Sequence, residues 1–230
     1  ADTDEFIARV IGTKDVVVSA LVLNEKGLER ALESKVPHIS LSASVSNSHS
    51  LKNVRKPSEE AVSDAVRLIG KAKQEGVAVR AGAQCAFGCV YEGRIREDAV
   101  MKALMRMAEA GADELNLADT TGMATPLHIT NLITRAKAEL PDAALSLHLH
   151  DTRGLGIANM VAGYNAGVTI FDTSAGGLGG CPFVKGAAGN IATEDAVNLF
   201  EEMDISTGID LRKICAVHER YAELLGRALP

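Results

Sequence analysis

Apolar and polar positions along this chain fall into two alternating rhythms. Short runs rich in Val, Ile, Leu and Ala predict strands at 16–23, 38–44, 77–83, 114–118, 144–150 and 169–174. Between them the apolar spacing becomes helical, with legible ends. Ser58 after Pro57 is expected to cap a helix that carries Glu59 and Glu60 in its first turn and buries Val62, Ala65, Val66 and Ile69. Val100, Ala103, Leu104 and Met107 repeat the stripe, with Gly111 as the stop. Thr125-Pro126 reads as an N-cap followed by proline at the first helical position, with Ile129, Leu132, Ile133 and Ala136 facing inward. Thr193-Glu194-Asp195 and Asp210 open two more helices, and a helix-like stretch at 4–11 precedes the first strand.

Regular β-α alternation implies parallel strands joined by right-handed crossovers. A doubly wound sheet would place a glycine-rich turn after its first strand, and Leu23-Asn24-Glu25 is not one. Polar and reactive residues instead collect at the C-terminal ends of several strands, where a TIM (β/α)8 barrel keeps its active site. Six strands are legible where a closed barrel has eight. The expectation is therefore one catalytic barrel domain over 1–230, made of strands three to eight and a C-terminal helix, with the N-terminal β/α units absent.

Composition narrows the function classes. At 230 residues, with 47% hydrophobic and 23% charged positions, the chain has the composition expected of an ordinary soluble globular protein. Aromatics supply only 3% and tryptophan is absent, so the core is expected to be aliphatic. A net charge of −6 with no basic cluster argues against nucleic acid as a partner. No run approaches the length of a membrane span. The four cysteines, at 85, 89, 181 and 215, form no CxxC pair, which suggests reduced thiols and a cytoplasmic setting.

Chemistry concentrates in two places. In His148-Leu149-His150 the strand period puts both imidazoles on one face, with Leu147 and Leu149 on the other. Two imidazoles on one strand end suit adjacent positions on a metal ion. Asp151 and Thr152 follow, and are expected to orient the rings. Farther on, four glycines in five positions (Gly176, Gly177, Gly179, Gly180) precede Cys181, placing a thiol on a loop with the backbone freedom to lie over a ligand. Asn190 follows a second glycine-rich stretch and offers a neutral oxygen donor.

HLHDT at 148–152, GGLGGCPF at 176–183 and GNIATED at 189–195 together resemble the 3-hydroxy-3-methylglutaryl-CoA lyases of the DRE-TIM metallolyase superfamily. CAFGCVYEGRI at 85–95 and LADTTG at 117–122 match in order and spacing. The resemblance implies His148, His150 and Asn190 as ligands of a divalent ion, Mg2+ or Mn2+, and Cys181 as the catalytic thiol. It further implies Asp119 as an acidic residue beside the metal and Glu194 as a carboxylate behind it. Gly82, Asn116, Thr120, Arg153, Gly179 and Gly180 fall where substrate is held. An acyl-CoA is the implied partner, and a homo-oligomer the implied assembly. The implied reaction is a retro-Claisen cleavage, with Asp119 or one of the imidazoles taking the 3-hydroxyl proton and Cys181 protonating the acyl-CoA enolate.

Departures from the pattern bear on the substrate. The family's RDG motif, which supplies an Asp ligand and a catalytic Arg, has no counterpart here, nor does a Glu of its second strand. Gly82 and Arg153 stand where Tyr is usual, Asn116 where Ser is, and Leu155 where Gln is. A Claisen-type synthase of the same superfamily would need no thiol acid and is the alternative enzyme. A non-catalytic ligand-binding barrel is the other rival. Cys85 and Cys89 read as packing, Lys52–Lys56 as a solvated basic loop able to meet CoA phosphates, and His38, His49, His128 and His218 as isolated. Ile214, Tyr221 and Leu225 read as the packing face of the last helix.

Overall fold

The computed structural model describes residues 2–179 and 189–229. Six strands form one sheet in the order β1 (Ser19–Leu21), β2 (His38–Ser44), β3 (Ala78–Gln84), β4 (Glu114–Asp119), β5 (Ala144–Leu149) and β6 (Ile170–Asp172), every neighbouring pair parallel. The crossovers carry α2 (Glu25–Glu33), α3 (Asn47–Val54) with α4 (Ser58–Gln74), α5 (Glu97–Glu109), α6 (Pro126–Glu139) and α7 (Gly156–Asn165). Helix α1 (Thr3–Val10) precedes the sheet, and α8 (Thr193–Glu202) and α9 (Leu211–Leu225) follow it.

Register turns the strand period into layers. Leu41, Ala81, Leu115 and Leu145 lie side by side, as do Ala43, Ala83, Leu117, Leu147 and Phe171. These rows join Leu68 and Ile69 of α4, Leu104 and Met107 of α5, and Ile129 and Ile133 of α6 in one aliphatic core. The other face carries polar rows: Ser42, Gly82, Asn116 and Ser146, then Ala118, His148 and Asp172. This face is concave. A flat sheet would set β3 and β6 about 14 Å apart, three spacings of roughly 4.8 Å. Arg80 of β3 nevertheless donates through Nη1 to Asp172 Oδ1 of β6 at 2.7 Å. Only a strongly curled sheet brings those two side chains together, so the architecture is the open part of a barrel, as expected.

Several boundaries differ from the sequence reading. Strand β1 covers three residues rather than 16–23, because its outer edge meets no further strand among the described residues; Val16, Val17 and Leu23 are exposed. Strand β6 is likewise short, with Ser174 bridging Ala192 instead of continuing the ladder. Ser58 does not cap α4. Pro57 takes that position without a side-chain bond, while the Ser58 hydroxyl donates to the Ser44 carbonyl at 2.6 Å. Val66 is half-buried, and Leu68 and Ala72 complete the stripe with Val62, Ala65 and Ile69. Lys52 belongs to α3, with its ammonium 4.8 Å from the Tyr91 ring centre, and Lys56 pairs with Asp64 and Glu60. On α9, Tyr221 and Leu225 are exposed; the half-buried stripe is Leu211, Ile214, His218 and Ala222, and the helix meets α8 and the turn at Ala175–Gly177. Thr125, Gly111 and Asp210 mark helix ends as read.

Candidate active site

The C-terminal ends of β4, β5 and β6 bring the polar side chains together. His148 and His150 share the concave face, and their Nε2 atoms stand 3.1 Å apart. Leu147 and Leu149, of opposite parity, are sealed in the helix-side core. His148 Nδ1 lies 3.1 Å from Asp172 Oδ2. Burial alone would raise the Asp172 pKa. The hydrogen bond to His148 and the Arg80 guanidinium outweigh burial and hold the carboxyl down at about 2. His150, buried and next to a second imidazole, is pushed down to about 4.

The loop leaving β6 returns to this point. Asn190 pairs with His150 in an isolated antiparallel bridge, and its Nδ2 donates to the Leu178 carbonyl at 2.9 Å. The Asn190 Oδ1 atom is buried with no hydrogen-bond partner among the described residues, as is His150 Nδ1. Two glycines make the crossing possible. A Cβ at Gly189, with φ of 101°, would lie 2.4 Å from the Gly179 carbonyl oxygen; one at Gly179, with φ of 107°, would lie 2.7 Å from Asn190 Nδ2. Beneath them Glu194, in the first turn of α8, accepts from the Gly176 amide at 2.9 and 3.1 Å and meets His218 Nδ1 at 3.1 Å. Glu194 thus pins the start of the glycine arch, and His218 is not isolated.

Donor chemistry can be tested against a divalent cation. Two facing imidazole nitrogens and an orphaned amide oxygen are neutral donors of the kind a hard-to-borderline cation accepts. Burying that oxygen without a partner is costly, and a cation would relieve the cost. The arrangement fits. The described residues contain no group of three His, Cys, Asp or Glu that could hold a metal ion; His148, His150 and Asn190 are candidates through the bridge that pairs His150 with Asn190.

The other residues singled out in the sequence fall in different places. Asp119 is fully buried, and its carboxylate accepts from the amides of Met123 and Ala124 at 2.8 and 3.1 Å. Burial is the dominant effect and raises its pKa to about 6, against the lowering influence of those amides, Arg153 and His148. Thr120 Oγ1 accepts from the Cys85 amide and ties the β3 loop to β4. Asn116 donates to Ser146 Oγ at 2.9 Å, with Gly82 beside it in register. Arg153 is exposed on the loop after β5. Asp151 does not orient the rings: its Oδ1 accepts from the Gly156 amide at 2.6 Å and caps α7. Thr152 Oγ1 has no hydrogen-bond partner among the described residues, so it orients neither ring. Asp172 and Arg80, which the sequence reading missed, do that work. Cys85 and Cys89 are buried thiols, and burial beside Cys89 drives Cys85 up to about 12. His49 is a buried helix residue and His38 contacts Ser19 Oγ. Gly180 and Cys181 lie outside the described residues.

Comparison with known proteins agrees with this layout. Residues 2–220 match the family model described as HMGL-like. A hydroxymethylglutaryl-CoA lyase of Bacillus subtilis is 38% identical over 94% of this chain and 73% of its own length. An (R)-citramalyl-CoA lyase of Chloroflexus aurantiacus is 36% identical over 92% of the chain and 67% of its own. The solved structure of an Acinetobacter baumannii HMG-CoA lyase, in complex with coenzyme A and 3-methylmalate, superposes with a TM-score of 0.93 at 36% identity. That match covers 100% of this chain and 75% of that one.

Proposed function

Because the chain belongs to the HMGL-like family, we propose that it is a carbon–carbon lyase cleaving 3-hydroxy-3-methylglutaryl-CoA into acetyl-CoA and acetoacetate. The observation that carries this reading is the pair of imidazoles meeting through Nε2 at 3.1 Å, beside a buried, unpartnered Asn190 oxygen, at the strand ends of a curled parallel sheet. In this reading the chain supplies strands three to eight of the barrel as a single catalytic domain.

His148, His150 and Asn190 would hold Mg2+ or Mn2+, which when bound lowers the pKa of the substrate's 3-hydroxyl and fixes its oxygens. Asn116, Gly82, Thr120 and Arg153 would border the acyl group of the substrate in this reading. Glu194 fixes the start of the arch through Gly176, and Gly179, Gly180 and Cys181 follow it in sequence. As the C2–C3 bond breaks, the Cys181 thiol protonates the departing acyl-CoA enolate at carbon. A thiol of ordinary pKa ~8.5 keeps that proton at neutral pH and still transfers it readily. The 3-hydroxyl proton lost as that bond breaks goes to a base, Asp119 or one of the imidazole groups; Asp119 keeps free carboxylate lone pairs beside its two amide bonds. Acyl-CoA as partner, self-association and a cytoplasmic setting belong to the same proposal. Among the described residues no helix is long and apolar enough to cross a membrane.

The deciding assay is acetoacetate release from 3-hydroxy-3-methylglutaryl-CoA with Mg2+ or Mn2+. Cys181→Ser should lower the rate by at least ~10²-fold, the low end for a positioned acid. Unchanged turnover would move the chain to the thiol-independent synthases. The citramalyl-CoA lyase among its relatives, together with Gly82, Asn116 and Arg153, favours a second acyl group as the next substrate to try.

A further inference from the structure

We propose that Asp172, braced from across the sheet by Arg80, is the positioning residue that fixes the His148 ring as its Nδ1–H tautomer, so that its Nε2 lone pair faces the point shared with His150. The inference rests on the reading of His148 as a metal ligand.

A carboxylate is an acceptor only. With Asp172 Oδ2 at 3.1 Å from Nδ1, the His148 ring proton belongs on Nδ1 and Nε2 is left free to donate a lone pair. A neutral imidazole carries one proton, so this single contact decides which nitrogen faces His150. The Asp172 carboxylate has little freedom to turn away. Arg80 holds both its oxygens, Nη1 on Oδ1 at 2.7 Å and Nη2 on Oδ2, the forked geometry that fixes a carboxylate plane. Arg80 is itself steadied by Glu114, its register partner on β4, with Nε 3.1 Å from Oε1. The chain Glu114, Arg80, Asp172, His148 therefore spans four strands and ends on one ring nitrogen. His150 has no such partner on Nδ1 among the described residues, so the pair is ordered from the His148 side.

Replacing Asp172 by Asn makes a sharp test. Arg80 can only donate, so the amide oxygen stays on Arg80 and the NH2 group turns to His148. That would force the ring proton onto Nε2 and withdraw the lone pair. Nitrogen-15 NMR of the metal-free wild-type protein, with the signal assigned by its loss in His148→Gln, should show a protonated Nδ1 and a bare Nε2. In Asp172→Asn the two should exchange. Mn2+ affinity, read by titration with the metal alone, should fall 10–100-fold, the usual cost of losing such a support. Asp172→Glu should restore the tautomer. A wild-type ring protonated on Nε2 overturns the proposal, and this measurement stands even if a variant fails to fold. So does an Asp172→Asn protein with unchanged tautomer and Mn2+ affinity. Wild-type protein that binds no Mn2+ would instead count against the metal reading, while the NMR result still decides the role of Asp172.

Discussion

At the β5–β6 end of the sheet the concave side chains are imidazoles and carboxylates bound to one another: His150 to His148, His148 to Asp172, Asp172 to Arg80. At the β1–β2 end the same face carries hydroxyls, Ser40, Ser42 and Ser44, with His38 touching Ser19. Beside that end a cleft of about 500 Å³ opens between the strand ends and α3 and α4, and Leu21 and Leu23 stand exposed at the edge. Both ends follow the same parallel register. What separates them is the kind of group: imidazoles and charged side chains locked to one another at one end, and neutral hydroxyls bonded to Gln84 and Ser46 at the other. Fixed direction is what a reacting centre needs, whereas short hydroxyls next to open space suit the looser holding of a long ligand.

The contrast should survive, or fail, under three substitutions of decreasing effect. His150→Ala removes a donor from the fixed end, and lyase turnover should fall by at least ~10²-fold with the fold intact by circular dichroism. Loss of less than tenfold would mean that the imidazole pair is not the centre. Asp119→Asn acts on pH dependence. Because folding raises the Asp119 pKa from an ordinary 3.8 to about 6, the stability contributed by its protonated form is present below 3.8 and lost as pH rises through about 6. Urea unfolding at pH 4 and pH 7 should show wild type losing roughly 2.4 kcal/mol relative to the Asn variant. A difference that stays constant with pH would mean that Asp119 is not raised. Ser42→Ala, in the loosely held end, removes only the acceptor of the Gln84 amide at 2.8 Å. Stability should drop by about 1 kcal/mol and turnover should change less than threefold. A loss as large as that at His150 would erase the distinction between the two ends.

The layered α/β architecture was legible because strand and helix periods are local properties. The His148–His150 pair was legible for the same reason, since a period of two decides the face without knowledge of any neighbour. Asp172 was not. Its meaning depends on pairing opposite His148 in β6, and Arg80 matters only because the sheet curls; neither is written in a local pattern. Asp151 misled because an Asp after a strand is as apt to cap the next helix as to support a ligand, and here the Gly156 amide claims it. Helices α2 and α3 escaped notice although Asn24 and Ser46 cap them, because both are short and largely polar. Strand β1 was overextended because apolar content alone does not supply a pairing partner.

The bridge from Arg80 to Asp172 also bears on how the molecule assembles. It joins residues 92 positions apart, so the chain must close a long loop before the contact exists. Each strand pair can zip in sequence with its neighbour at modest entropic cost, but this link waits until four strands are in place and bent. The orientation of His148 is then among the last features to mature. A nascent or partly unfolded chain would already possess β5 and its two histidines while lacking a ring set to capture a cation. Under the metal reading proposed above, ion capture would report the completed curve of the sheet rather than the presence of its ligands.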